Sequence, residues 1–273
     1  MALEIVNISD VGRKRPHNED STVSDQEHGL VILADGMGGY KAGEVASAIA
    51  VMTILEDVQT GLKKGHSSDD KSDENLSIES NLVKNAINHA NSNIYNIAKT
   101  DPECQGMGTT IVTGLIFGNR ISVGNVGDSR LYRLRKGKFQ QITKDHSLIQ
   151  ELVDRGLYTS EEAQAKMPKN LVTRALGLDG VVEVDIIEDQ VETGDIFLLC
   201  SDGLNDMVND EEIHLTLSKY SANLVQAAES LVQLANKNGG KDNISVILVR
   251  IVEEETTQNN EGGYLKRILK RYF

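Results

Sequence analysis

Strand-like and helix-like segments fall in groups along this chain instead of alternating one by one, and that grouping restricts the fold more than any other feature. Residues 3–8 and 29–34 are rich in β-branched and aliphatic side chains and are predicted as strands. Two amphipathic stretches follow. Residues 41–63 have helical spacing with Val45, Ile49, Met52 and Leu55 on one face, and a second helix carries Leu82, Ala86, Ile87, Ala90 and Ile94. Short strands resume at 109–117, 120–126 and 129–135, separated by Gly-Asn and Gly-Asp turns. A short helix at 148–155 leads into a polar segment, 156–170, that reads as a flap. Strands are expected again at 182–187, 196–200 and 244–251, with another helix at 223–236. This order predicts α+β layering: two antiparallel sheets packed together, with helices outside.

The chain has 273 residues, 39% of them hydrophobic, enough for one large core. One domain is therefore expected over 1–252, followed by a flexible tail at 253–273. The polar stretch 64–77 reads as a mobile loop. A net charge of −13 argues against general affinity for nucleic acid, whose phosphates it would repel. The two cysteines, Cys104 and Cys200, supply neither a metal cluster nor a disulfide framework, and Cys200 ends an apolar run as a core residue would. The opening residues lack a basic region followed by a long apolar stretch. No segment approaches the ~20 consecutive apolar residues that span a bilayer. A soluble, cytoplasmic protein is the expectation.

Four aspartates stand where strands run into turns: Asp35 in ADGMGG, Asp128 in VGDSR, Asp202 in CSDGL and Asp242 in GKDNIS. Any one of them is explained by turn formation, because Asp-Gly and Asp-Asn are ordinary turn pairs. Four together, three of them beside strongly apolar strands, suggest side chains projected from rigid supports into one cleft. Hard divalent cations such as Mg²⁺ or Mn²⁺ take carboxylates, backbone carbonyls and water as ligands. Two such ions can share a bridging carboxylate. Gly36, without a side chain, would let a carbonyl approach a metal closely. Near the start, Arg13, Lys14 and Arg15 each offer a cation, and the sequence alone does not choose among them. Arginine's planar fork suits phosphate better than lysine's point charge.

The strings R-P-H-N-E-D, D-G-M-G-G, G-M-G-T-T, V-G-D-S-R, T-K-D-H-S, S-D-G-L and D-N-I-S occur in that order. By these motifs the chain resembles the metal-dependent protein phosphatases, the PPM or type 2C class, and its bacterial branch in particular. The resemblance covers residues 3–252. It implies a central β-sandwich flanked by α-helices on both sides, in α-β-β-α layers. It also implies hydrolysis of phosphoserine and phosphothreonine in proteins by direct attack of a metal-bridging hydroxide. On this resemblance Asp35 would bridge two core ions, Mn²⁺ or Mg²⁺, with the Gly36 carbonyl completing one site. Asp202 and Asp242 would ligate the other, and Asp128 with Asp202 would form a weaker third site. Arg15 would hold the substrate phosphate. Asp20, with Glu19 beside it, would hydrogen-bond the waters of the ions. A cognate Ser/Thr kinase and its substrates are the implied partners, and the protein is expected to be a monomer.

One position departs from the family pattern. Many eukaryotic members carry a histidine where this chain has Met37, and that histidine is proposed as the general acid. A thioether donates no proton, so protonation of the leaving group would fall to metal-bound water. His17 and His146 lie within motifs and are not assigned a direct catalytic role. Two rival readings follow: a pseudophosphatase acting as a binding module, disfavoured because no metal carboxylate is replaced, and a metal-dependent hydrolase of another phosphate ester. The last ten residues carry four basic groups and no acidic ones. As a helix they would set Leu265, Ile268, Leu269 and Tyr272 on one face. Such a segment suits docking on an anionic membrane surface or an acidic protein, or folding back on its own domain.

Overall fold

In chain order, β1 (Ala2–Asp10), β2 (Asp20–Asp25) and β3 (Leu30–Met37) lead into α1 (Ala42–Lys64) and α2 (Ile78–Thr100). Strands β4 (Gly108–Thr109), β5 (Ile111–Phe117), β6 (Arg120–Val126), β7 (Arg130–Arg135) and β8 (Lys138–Gln141) follow, then α3 (Leu148–Asp154) and α4 (Ser160–Lys166). The remainder is β9 (Asp185–Gln190), β10 (Ile196–Cys200), α5 (Asp202–Asn205), α6 (Asp210–Lys219), α7 (Leu224–Lys237) and β11 (Ile244–Val252). This computed structural model describes residues 1–38, 42–64, 73, 75–168 and 171–253. Most of the loop expected at 64–77, and the tail from 254 onward, lie outside the described residues.

The strands form two antiparallel sheets, ordered β1-β11-β10-β7-β8 and β2-β3-β5-β6-β9, with β4 paired to β3. Alternation along each strand creates the layers. Val31, Leu33, Val112 and Val123 from one sheet meet Phe197, Leu199, Ile247 and Val249 from the other in the sandwich interior. The opposite face of the second sheet, including Leu30, Ile32 and Leu115, packs against α1 and α2. The outer face of the first, with Leu198, Val246 and Leu248, packs against α6 and α7. A β-sandwich flanked by helices is thus the observed fold.

Several local expectations need correction. The buried face of α1 is Ala46, Ala50, Ile54 and Val58, whereas Val45 and Met52 are 36% and 50% exposed. Small alanines let the helix axis approach the sheet, and the bulkier residues ride on its shoulders. Among the described residues α1 is also long and apolar enough to cross a bilayer by length and composition, contrary to the reading that no segment approaches this limit. Its buried stripe is already committed to the sheet. The strand expected at 182–187 runs instead over Asp185–Gln190. Strands β2 and β8 and helix α6 were not anticipated. The flap segment contains α4, closed by a capping box between Thr159 and Glu162, with Ala163 fully buried.

Antiparallel pairing puts β1, β3, β6 and β10 ending, and β2, β5, β7 and β11 beginning, at one end of the sandwich. Away from that end, Glu188 on β9 clips α2 to the sheet. Its Oε1 accepts from the Ser77 N–H at 2.8 Å and from the Ser80 hydroxyl, while Oε2 pairs with Arg120. Burial pushes this carboxyl upward, but the Ser77 and Ser80 hydrogen bonds and the Arg120 charge outweigh it and bring the pKa to about 2. A carboxylate lowered from 4.5 to about 2 stabilises the fold above the unfolded value, and that stability is lost as pH falls through the folded one. Glu188→Gln is expected to lower unfolding free energy by about 2 kcal/mol at neutral pH. In urea titrations the gap between variant and wild type should close as pH drops from 4.5 toward 2.

Candidate metal centre

The site is assembled from the connections at that single end. Asp35 lies near the end of β3, and Asp20 opens β2 directly opposite it in the strand register. Asp128 sits between β6 and β7, Asp202 opens α5 just after β10, and Asp242 precedes β11. Each carboxylate-bearing residue is half-buried. Burial first, and then the charges of Asp20, Asp202, Asp128 and Asp242, raise Asp35 well above the usual carboxylate range. Asp202 is likewise raised by burial and by Asp128 and Asp242. The five aspartates are thus close enough to influence one another, with Asp20 opposite Asp35 and Asp128 sharing a cavity with Asp202.

Small polar side chains hold this arrangement, and in the sequence they are legible only as members of the motifs. Asp20 Oδ2 accepts from the hydroxyls of Ser201 at 2.8 Å and Ser245 at 2.6 Å. Burial still dominates, and the Asp20 pKa rises to about 6. Thr110 and Thr109 fix the backbone of Asp35: the Thr110 hydroxyl accepts its N–H at 3.1 Å, and that of Thr109 donates to its carbonyl at 2.9 Å. The Thr110 hydroxyl also meets that of Ser129, beside Asp128, at 2.7 Å. Gly36 is buried, and a Cβ there would stand 2.1 Å from the Gly43 carbonyl oxygen, so only glycine fits beside Asp35.

His146 braces a turn of the site. Its Nδ1 accepts from the Gly127 N–H at 3.1 Å, and Nε2 faces Asp185 at 3.1 Å, which clamps the turn bearing Asp128. Met37 ends β3 with its methyl group near Gly108, an apolar contact. Of the three N-terminal cations, Arg15 is the one that pairs with a site carboxylate among the described residues, with Nη2 2.7 Å from Asp242 Oδ2. This hydrogen bond raises the guanidinium pKa, and the side chain stays 46% exposed. Beside the centre, toward α3 and α4, lies a cavity of about 350 Å³ lined by Asp128, Arg130, Asp145, Asp202, Asp206 and Asp210. Asp128 is raised to about 6 by burial and by Asp145, against the opposing charge of Arg130.

The donor set suits a hard divalent cation. Asp20 Oδ1 and Asp202 Oδ1 are buried without any hydrogen-bond partner. Carboxylate oxygens left in that condition are expensive unless a cation or its water meets them. Among the described residues no three His, Cys, Asp or Glu side chains close around one point tightly enough to hold an ion alone. Mg²⁺-like ions do not require it, since one or two carboxylates with several waters suffice.

Comparison with known proteins agrees with this geometry. The sequence profile of the family described as protein phosphatase 2C matches residues 13–245. Serine/threonine phosphatase stp of Listeria monocytogenes is 39% identical over 270 residues, covering 93% of this chain and 97% of that protein. The solved structure of the Mycobacterium tuberculosis serine/threonine phosphatase PstP/Ppp aligns with a TM-score of 0.80 at 36% identity, over 93% of this chain and 100% of its own. The catalytic domain of PstP in complex with two manganese ions aligns at 0.78 and 36% identity, over 92% of this chain and 99% of its own.

Raised carboxylate pKa values bind protons more tightly in the folded protein, so they favour folding least when all are ionised. With metal chelated, stability should therefore fall as pH rises from 3.8 through about 6 and beyond. Added Mn²⁺ should restore it, more at pH 8 than at pH 5. Asp35→Asn is expected to raise the melting temperature in chelator at pH 8 by about 3 °C, and to abolish the rise produced by Mn²⁺. Thermal scans with and without the ion measure both.

Proposed function

Since the chain belongs to the protein phosphatase 2C family, it is a metal-dependent serine/threonine protein phosphatase, and we propose how its own residues divide the work. The reading is carried by one observation: five aspartates from strand ends and connections at one end of the sandwich gather beside an exposed arginine, and two of their buried oxygens lack a partner. Asp35 and the Gly36 carbonyl are assigned to the core ions, with Asp202 and Asp242 on one of them. Asp128 and Asp202 are assigned to a weaker third. Two core ions of Mn²⁺ or Mg²⁺ would supply Lewis-acid neutralisation of phosphoryl charge and lower the pKa of water.

The remaining work falls to protein groups. Arg15 presents a planar fork to two phosphoryl oxygens and turns the ester toward the carboxylates. Ser201 and Ser245 hold Asp20 through Oδ2, which leaves Oδ1 to accept a hydrogen bond from the attacking water and align it. Met37 has no proton to give, so the departing serine or threonine oxygen is protonated by solvent. The substrates are proposed to be phosphoproteins made by a cognate Ser/Thr kinase. The protein is proposed to work in the cytoplasm as a monomer, and its basic segment 264–273 to dock on an anionic membrane surface or an acidic protein.

Phosphopeptide hydrolysis with and without Mn²⁺ tests the central reading: turnover is expected only with the ion, and Asp202→Asn should reduce it by about 10³-fold. Arg15→Ala should lower kcat/KM by about 100-fold, and Arg15→Lys should recover little of it. Near-normal turnover by either the Asn or the Ala variant would overturn these roles. Deleting 264–273 should shift membrane or partner co-sedimentation while leaving peptide turnover unchanged.

A further inference from the structure

Arg15 rides on a connection with no regular structure, residues 11–19 between β1 and β2, and residues 13–17 are all exposed. Such a surface loop ordinarily samples many conformations, and a side chain meant to meet a phosphate within a fraction of an ångström cannot. Something must hold the loop from beneath. A single buried side chain reaches both of its ends. Asn243, 4% exposed, accepts the Glu19 N–H on Oδ1 at 2.8 Å and donates from Nδ2 to the carbonyls of Val11 at 3.0 Å and His17 at 2.9 Å. We propose that Asn243 is the positioning residue for Arg15, a side-chain clip that fixes the guanidinium relative to the carboxylates; the proposal rests on the phosphate-binding role assigned to Arg15 above.

The chemistry demands an amide. The loop presents one N–H and two carbonyls to the same point, so the clip must accept once and donate twice. Aspartate could accept from Glu19 but would leave two carbonyls facing a charge, and a hydroxyl is too short and has one proton. The clip is also continuous with the site. The Asn243 N–H donates to Asp242 Oδ1 at 2.9 Å, while Oδ2 of that carboxylate pairs with Arg15. One residue thus orients both partners of the ion pair.

The backbone around Asn243 supports the contact. The Arg13 N–H donates to the Gly240 carbonyl at 2.7 Å. Gly12, at φ +79°, lies so close to the Asp242 carbonyl that a Cβ would come within 2.1 Å of its oxygen. The loop therefore lies against 240–243, with the amide as the bridge between its two ends.

The test uses the full chain with Mn²⁺ and reads inorganic phosphate binding as well as turnover. Asn243→Ala should weaken competitive inhibition by phosphate about tenfold or more and lower kcat/KM for a phosphopeptide similarly. In an Arg15→Ala background the same change should add less than about twofold, because the group being positioned is gone. An unchanged phosphate constant, or effects that multiply in the double variant, would overturn the proposal. An inhibition constant does not depend on the active fraction, so partial misfolding does not mask the result, and Asn243→Ser provides a second variant. The wild type gives an independent reading: the Glu19 amide should be protected from hydrogen exchange although it sits at the edge of an exposed loop, and free exchange there would sink the clip. Failure of the wild type to hydrolyse phosphopeptide would count against the proposed function instead. An active wild type with a damaged Arg15 variant and an intact Asn243 variant would count against the clip alone.

Discussion

Mutual repulsion among five carboxylates is the constraint around which the rest of this structure is arranged. Ionised side chains at such close range, half-withdrawn from water, push one another apart unless the backbone beneath them is stiff. The fold meets that requirement by placing the acids on or beside the ends of paired strands, most of which, such as β3, β6, β10 and β11, are locked into the apolar cores. Neutral hydroxyls then take up the residual freedom. Ser201 and Ser245 on Asp20, and Thr109 and Thr110 on the Asp35 backbone, restrain the acids without adding charge of either sign. Lysine or arginine in those places would neutralise the site and leave a cation little reason to enter.

Arg15 stands apart from that rule because its charge is directed at a substrate. Nearly half of its side chain is open, and among the described residues it pairs with Asp242 at the edge of the cluster. The geometry separates two electrostatic tasks that would otherwise cancel: a buried negative floor and a partly solvated positive arm. The Asn243 amide and the backbone contact of Arg13 with Gly240 hold the arm's loop against the floor, while the ion pair itself contributes little to stability at this exposure.

How much of this could be read from the sequence depended on how locally each feature is encoded. The strands 196–200 and 244–251 and the helix 223–236 announce themselves because their apolar residues have one period and one environment. The aspartates were legible because Asp-Gly and Asp-Asn pairs follow apolar runs, and the ordered motifs tied them together. The face of α1 was misassigned in part: Ala46, Ala50, Ile54 and Val58 go inward, Ile49 and Leu55 pack at the margin of the core, and Val45 and Met52 stay outside. Strand β2, DSTVSD, has one large apolar residue and is ordered by its neighbour β3 instead of by its own pattern. The hydroxyl and amide supports were invisible as supports, since Ser201, Thr110 and Asn243 find their partners only after distant loops have met.

The polarity of the sandwich has a practical consequence at the end opposite the metal centre. Turns there at Gly118, Gly137 and Gly194 have positive φ, and nothing lies within 4 Å of where a side chain would begin. They connect β5 to β6, β7 to β8 and β9 to β10, and none of them contributes a group to the cleft. The first two are hairpin tips and the third crosses between the sheets; exposed tips such as Gly118 and Gly137 accept grafted sequence, such as a fluorophore tag or a recruiting peptide, with the added mass held a full strand length from the reacting ester. The molecule thus offers built-in handles for reprogramming which phosphoproteins it meets while leaving the hydrolytic end untouched.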